Sequence, residues 1–107
     1  MINVIYYRKY HRLTVDGHAR SGEPGHDLVC AAASALAYTL GGNVANMDNA
    51  CQVREAVTLY SSGHAEVSCN PVRKYKSTVT LVFDSVCVGF EMLAANYPEY
   101  ISYEIRH

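Results

Sequence analysis

Cys30 has the clearest chemical potential of any residue in this sequence. Asp27, three residues earlier, is a strong helix N-cap, and residues 28–40 contain neither proline nor glycine. We therefore predict that Cys30 is the third residue of a helix. Backbone N–H groups there lack helical partners and the helix dipole is positive, which would stabilise both a thiolate and the oxyanion of an acyl-transfer intermediate. The Asp27 carboxylate opposes this effect, because it repels a thiolate.

A thiol nucleophile also needs an imidazole that takes its proton and later protonates the leaving amine. His18 ends a predicted strand and can approach the helix N-terminus from the side, whereas His26 sits on a glycine-rich loop with nothing to fix it. His18 is therefore the better candidate. Spacing alone leaves two alternatives open. Cys30 could be a small buried residue, or it could join His18 and His26 as ligands of a catalytic zinc. No Cys-x-x-Cys pair supports a structural zinc site, and we predict no metal or other cofactor.

The other polar candidates carry weaker signals. Ser34 lies one turn after Cys30 on the same helix face, where it either supports the site or bonds back to the carbonyl four residues earlier. We predict that the three other cysteines fill the core and that the three other histidines are surface residues without partners. These residues are Cys51, Cys69, Cys87, His11, His64 and His107.

The elements that must position these residues follow from the residue pattern. Runs of β-branched and aromatic residues predict strands at 2–7, 12–16, 56–60, 65–69 and 101–106. Helices are predicted at 27–40, ended by Gly41-Gly42, and at 77–96, ended by Pro98. The sequence thus predicts one α+β domain over residues 1–107, with two layers in the order β-β-α-β-β-α-β and a mainly antiparallel sheet.

Three segments are less determined by their sequence. Residues 43–52 are hard to assign and would fit a second short helical segment, and residues 78–83 would also fit a strand. Residues 17–26 contain Gly22, Pro24 and Gly25, which break regular structure. We expect this segment to be a loop whose glycines act as hinges, and loops of this kind often carry function.

Composition narrows the class of protein. The chain has 107 residues, a net charge of −1 and nine tyrosines. The short basic run 73–76 is typical of a solvated loop, so we expect no direct nucleic-acid binding. The charged N-terminal segment lacks a signal peptide, and no apolar run approaches the roughly 20 residues that span a bilayer. We therefore expect a cytoplasmic protein with reduced cysteines and no membrane partner.

A joint motif around the two candidate catalytic residues identifies a family. The string Gly17-His18-Ala19, a short loop and then GHDLVCAAASAL over residues 25–36 resembles the signature of the ribosomal-processing cysteine protease family Prp. That signature is Gly-His-Ala, a short loop, and Gly-x-Asp-[Ile/Val/Leu]-Val-Cys-Ala-[Ala/Gly]-x-Ser. Residues 89–95 and 97–101 resemble the family's second helix and final strand, so the similarity spans nearly the whole chain.

The resemblance implies a homodimeric cytosolic endopeptidase that removes the N-terminal extension of large-subunit ribosomal protein twenty-seven after a phenylalanine pair. It implies Cys30 as nucleophile, His18 as base, structural support from Gly17, Asp27 and Ser34, and a loop that closes over the peptide. The middle region, 43–76, matches the family poorly. Two alternatives therefore stay open: a divergent member, for example one carried by a phage, that cuts a capsid or scaffold precursor, and a non-catalytic ribosome-associated binding module.

Overall fold

Two long helices pack against a five-stranded sheet. The structure, a computed structural model, describes residues 1–17 and 26–107, except the side chain of His26. The described chain contains strands β1 (Ile2–Tyr7), β2 (Arg12–Asp16), β3 (Val53–Ser61), β4 (His64–Pro71) and β5 (Ile101–Arg106), and helices α1 (His26–Asn49) and α2 (Lys76–Asn96). Two short 3-10 turns cover Arg8–Tyr10 and Arg73–Tyr75. The predicted element order and the α+β class are confirmed.

The strands lie in the order β3-β4-β2-β1-β5. The β1–β2, β2–β4 and β3–β4 pairs are antiparallel, which confirms a mainly antiparallel sheet. The β1–β5 pair is parallel, with Ile2 opposite Ile101. A parallel pair needs a long crossover between its strands, and here nearly the whole chain separates the two.

One face of the sheet and the inner faces of both helices form a single hydrophobic core. Tyr6 of β1 and Phe83 of α2 are fully buried, with ring centroids 6.0 Å apart and planes inclined by 16°. Each large apolar side chain buried in this way contributes roughly 1.5–3 kcal/mol relative to exposure. The core also holds Val4, Leu13, Val29, Ala33, Ala37, Leu40, Val44, Val67, Cys69, Val79, Cys87, Phe90 and Ile101.

The predicted stop of α1 at Gly41-Gly42 is wrong, because the helix continues to Asn49. Gly41 is a packing position: a Cβ atom built on it would lie 1.7 Å from the hydroxyl oxygen of Tyr60. The missing side chain therefore lets the Tyr60 ring lie against the helix. Most of the unassigned segment 43–52 is accordingly the second half of α1.

Cys51 forms the end of α1. Its φ is +59°, its N–H bonds to the Asp48 carbonyl at 3.0 Å, and the Gln52 N–H bonds to the Met47 carbonyl at 2.9 Å. This is the Schellman arrangement, in which a left-handed residue is usually glycine. Cys51 is exposed, so the prediction that it fills the core is wrong, whereas Cys69 and Cys87 are buried as predicted.

His11 departs from its predicted surface position. It follows the first 3-10 turn with φ +48°, is only 4% exposed, and its ring meets Phe83 edge-on at 5.7 Å. Its Nε2 atom lies 2.7 Å from the Thr80 hydroxyl of α2, so the side chain connects the β1–β2 turn to that helix. The helical assignment of 78–83 is confirmed and the strand alternative is wrong.

Segments 27–49 and 73–96 are long and apolar enough to cross a membrane by length and composition. Core helices pass the same test, so the finding carries little weight. Both segments bury one face against the sheet, through residues such as Leu40 and Phe83.

Candidate active site

A cleft of about 120 Å³ lies where the first half of α1 meets one end of the sheet; we call it the Cys30 cleft. Residues four apart on a helix share a face, and Cys30, Ser34 and Tyr38 form one wall in this way. The end of β2 and the turn between β3 and β4 form most of the opposite side, and the start of β1 and two alanines of α1 complete the lining. The remaining lining residues are Ile2, Val15, Gly17, Ala33, Ala37, Tyr60, Ser61, Gly63, His64 and Ala65.

Gly17 fixes the end of β2 at this cleft. Its φ is +134°, and a Cβ atom there would lie 2.2 Å from the Met1 carbonyl oxygen, so only glycine fits. Its N–H bonds to the Gly63 carbonyl at 2.9 Å, which joins β2 to the β3–β4 turn. The structure therefore brings three predicted site residues together, namely Gly17, Cys30 and Ser34. His18, Gly22 and Gly25 lie outside the described residues.

Asp27 lies inside the first turn of α1 rather than at its N-cap, because the helix begins one residue earlier, at His26. Cys30 is consequently the fifth helical residue and not the third. The backbone N–H groups without helical partners lie before Cys30, and the amide of Cys30 itself falls within the helical hydrogen-bond ladder. An oxyanion would have to be bound by the earlier amides of this turn.

The half-buried Cys30 thiol lies in surroundings that disfavour its thiolate form. Burial, and after it the negative charge of Asp27, raise the pKa of Cys30 above its ordinary value. The predicted repulsion by Asp27 is therefore present, and the N-terminal ammonium group partly offsets it. Activation of this sulfur requires a base that removes its proton.

Two tyrosines form the outer wall of the Cys30 cleft. The rings of Tyr38 on α1 and Tyr60 on β3 meet edge-on, with centroids 4.9 Å apart and planes inclined by 72°. Tyr38 is 58% exposed and Tyr60 is 41% exposed, so both rings retain open surface. Burial and the neighbouring Tyr38 raise the pKa of Tyr60. No spacing rule predicts this pair from the sequence, in which the nine tyrosines are the only signal.

His64 is also at the rim of the cleft, and its prediction as a surface residue without partners is wrong. Its Nδ1 atom contacts the Asp16 carboxylate, and its Nε2 atom lies 4.0 Å from Glu66. Because Val15 and Ala65 pack on the core, strand alternation places Asp16 and His64 on the opposite sheet face. This pair therefore fastens the β3–β4 turn to the end of β2.

Residues 1–17 and 26–107 contain no group of three His, Cys, Asp or Glu side chains that could hold a metal ion. The zinc alternative requires His18 and the side chain of His26, which lie outside that description. It is therefore neither supported nor tested by the geometry.

Comparison with known proteins gives a consistent match over almost the whole chain. The profile of a family described as cysteine protease Prp matches residues 1–102. The ribosomal processing cysteine protease Prp of Mycoplasma pneumoniae is 32% identical over 95 residues, which are 89% of this chain and 87% of that protein.

Solved structures share the fold. The Streptococcus mutans protein SMU.848 superposes with a TM-score of 0.68 at 27% identity, covering 97% of this chain and 90% of its own. Prp from Staphylococcus aureus with a covalently linked product peptide gives a TM-score of 0.68 at 25% identity, covering 98% and 97% of the two chains. A second S. aureus Prp structure, with a substrate peptide, gives a TM-score of 0.70 at 24% identity and covers 98% of this chain and 97% of its own. At this identity the match shows the fold alone.

Proposed function

The chain belongs to the cysteine protease Prp family, and on that premise we propose that it cleaves a ribosomal protein precursor with Cys30 as nucleophile and His18 as base. The substrate would be large-subunit ribosomal protein twenty-seven, cut after a phenylalanine pair in its N-terminal extension. One observation carries the assignment of the site. Cys30 and Gly17 line the same cleft, and His18 is the residue that follows Gly17 in the chain.

The reaction proceeds through a thioester on Cys30. His18 takes the thiol proton as the sulfur attacks the scissile carbonyl, which forms the tetrahedral intermediate. First-turn amides of α1 stabilise its oxyanion, and His18 then protonates the amine that leaves. Water, deprotonated by His18, hydrolyses the thioester and releases the acid product. The raised pKa of Cys30 makes this base necessary, because few thiols would ionise unaided.

The other family positions support this centre. Gly17 holds the end of β2, and Ser34 adds a hydroxyl to the wall one turn beyond Cys30. Asp27 favours the helix N-terminus electrostatically, at the expense of thiolate formation. Gly22 and Gly25 would let the loop before α1 close over the bound peptide and exclude water.

The tyrosine wall suits an aromatic substrate side chain. An engineered cavity of about 150 Å³ binds benzene, so the Cys30 cleft, at about 120 Å³, is of the size that takes one ring. Tyr38 and Tyr60 present ring surface there, and aromatic pairs contribute about 0.5–1.5 kcal/mol beyond area burial. A phenylalanine next to the scissile bond would be recognised in this way.

We propose that the enzyme is a cytoplasmic homodimer. Leu81, Val88 and Met92 of α2 are all more than half exposed, although residues at this spacing share a helix face. A second copy would cover this apolar stripe. Light scattering should give about twice the monomer mass, and Val88→Glu should shift it to the monomer; a wild-type monomer at high concentration would refute the dimer.

The deciding experiment is mass spectrometry of a peptide that carries the ribosomal protein's N-terminal extension. Wild type should cleave it after the phenylalanine pair, whereas Cys30→Ala and His18→Ala should not. Chelator should have no effect, in contrast to the zinc alternative. Cleavage by Cys30→Ala would refute the nucleophile assignment.

Covalent trapping separates the nucleophile from the substrate. Because Cys51 is exposed, a haloketone peptide should be tested in Cys51→Ser, where it should label Cys30. Labelling of Cys30 without cleavage of the ribosomal peptide would point to another precursor, such as a capsid or scaffold protein. If neither occurs and Cys30→Ala has no phenotype, the chain is a binding module.

A further inference from the structure

The tripeptide Arg-Lys-Tyr occurs twice, at Arg8–Tyr10 and Arg73–Tyr75, and each copy forms a 3-10 turn. The first copy follows the end of β1, whose first residue, Ile2, lines the Cys30 cleft. Six strand residues at about 3.3 Å each separate the two positions by about 20 Å. The second copy leads directly into α2. Together with Lys76 these turns form a surface that we call the basic end.

The two turns share a groove. Arg8, Arg73 and Lys76 line a depression of about 640 Å³, together with Ser77, Thr80 and the apolar Leu81 at the start of the stripe on α2. An adjoining depression of about 280 Å³ adds Lys9 and the histidines His11 and His107, and shares Arg8, Lys76 and Thr80 with the first. Side chains from two distant parts of the sequence thus converge on one concave, hydroxyl-lined and cationic surface.

Most of this positive charge is not neutralised by the protein. Asp84, the acidic side chain in the larger depression, is engaged by Arg8 through two 3.0 Å bonds and by the Tyr6 hydroxyl at 2.8 Å. Within the described part of the chain, no ion pair involves Lys9, Arg73, Lys74 or Lys76.

The field at the basic end is accordingly positive. The first turn of α2 holds no acidic residue, and its N-cap residue Tyr75 makes no side-chain capping bond, so the positive end of the helix dipole points at the same surface. The pKa of His11 is lowered, first by burial and then by the charges of Lys76 and Arg8.

Tyrosine rings alternate with these cations. The Lys9 ammonium lies 6.0 Å from the Tyr10 ring centroid, and the Lys74 ammonium lies 5.6 Å from that of Tyr75. Tyr10 is 68% exposed and lines a third depression, which shares Lys9 and His11 with the second and also holds Glu55, so its ring borders the groove and keeps exposed surface for a ligand. Cationic grooves that follow a phosphate backbone, with aromatic rings on which bases stack, characterise proteins that bind single-stranded nucleic acid.

We propose that the basic end binds single-stranded RNA, with the four uncompensated cations on phosphates and the Tyr10 ring under a base. The net charge of −1 hides this surface, because it averages the basic end with the acidic groups elsewhere. The site is separate from the Cys30 cleft, so the proposal does not depend on the proposed peptidase activity. It revises the expectation, from the short run 73–76 alone, of no nucleic-acid contact.

The test is fluorescence anisotropy of a labelled 20-nucleotide RNA of mixed sequence. Four phosphate contacts predict a log–log salt slope of about −3, which is about a 50-fold loss of affinity between 50 and 200 mM salt. Arg73→Glu should weaken binding at least about fivefold and make the slope shallower by about one. Tyr10→Ala should also cost about fivefold or more, since it removes a stacking ring.

Arg54→Glu, on β3, is the matched control, because it makes the same charge change at another exposed arginine. It should leave RNA affinity within about twofold. The far-ultraviolet circular dichroism spectrum and the thermal unfolding midpoint should be close to wild type in all three variants, which verifies their folding without reference to peptidase activity. Equal losses for Arg54→Glu and Arg73→Glu, no binding at 50 mM salt, or binding to phosphatidylglycerol vesicles instead of RNA would each overturn the proposal.

Discussion

Replacing Gly41 by alanine should separate the stability of this protein from its activity. The new Cβ atom would lie 1.7 Å from the Tyr60 hydroxyl oxygen and 3.0 Å from the ring carbon that carries it, so the ring must move. The Tyr60 side chain is 41% exposed and can swing outward. It would then leave Tyr38 and the wall of the Cys30 cleft.

Two opposing contributions determine how Gly41→Ala changes the free energy of unfolding. Alanine is favoured over glycine inside a helix by about 1 kcal/mol, and the lost contact with Tyr38 costs about 0.5–1.5 kcal/mol. The free energy of unfolding of Gly41→Ala should therefore stay within about 0.5 kcal/mol of wild type. Gly42→Ala is the matched control, because a Cβ atom there meets nothing within 4 Å. Gly42→Ala should gain only the higher helix propensity of alanine, which raises the free energy of unfolding by about 1 kcal/mol and Tm by about 4 °C.

Peptide kinetics provide the second measurement. The lost aromatic contact should raise KM for a phenylalanine-containing peptide about 2- to 12-fold at nearly constant kcat, since it removes binding that is common to ground and transition states. Gly42→Ala should have wild-type kinetics. Adding Tyr60→Phe to Gly41→Ala removes the clashing oxygen and should recover most of the affinity. If Gly41→Ala and Gly42→Ala are indistinguishable in both assays, Tyr60 does not pack on α1 as described.

Three further predictions concern charge and backbone geometry. Asp27→Asn should lower the pKa of Cys30, so its rate of alkylation by iodoacetamide should rise at lower pH than in wild type; an unchanged profile would exclude this charge effect. Gly17→Ala should destabilise the protein in urea unfolding by about 2 kcal/mol or more, because the left-handed backbone and the clash act together, and a smaller loss would show that the chain relaxes. Asp84→Asn should cost about 1 kcal/mol at neutral pH, since the groups are partly exposed. The hydrogen bond from Arg8 lowers the pKa of Asp84, so this stability is present above the unfolded pKa of about 3.9 and lost as the pH falls through the lower folded value. The two proteins should converge in acid, and a constant difference would contradict this linkage.

Local signals in the sequence were sufficient for most of the fold. The alternation in residues 101–106 predicted β5, and the helical spacing of apolar residues predicted α2. The end of α1 was not predictable, because Gly41 is explained by Tyr60, which comes from a strand 19 positions later. The true stop uses a left-handed cysteine, Cys51, where helix-end rules favour glycine.

The candidate site was likewise predictable only where its signal is local in the sequence. The local motif predicted Cys30, Gly17 and Ser34, and the structure brings these three into one cleft. The Tyr38–Tyr60 wall depends on contact between a helix and a distant strand, and no single-sequence spacing rule covers such a pair. The burial of His11 was not predictable for the same reason, because the helix that buries it begins 65 residues later.

The parallel pairing of β1 with β5 determines when the protein can complete its fold during synthesis. Ile2 pairs with Ile101, so one edge of β1 stays open until β5 emerges from the ribosome. At about 5–20 residues per second this interval lasts roughly 5–20 s. Closing so long a loop is also entropically costly, which makes this contact a late step in folding. Until then the edge of β1 that does not face β2 is unpaired and can join a strand of another chain, so the nascent protein is exposed to aggregation through this edge until β5 is made.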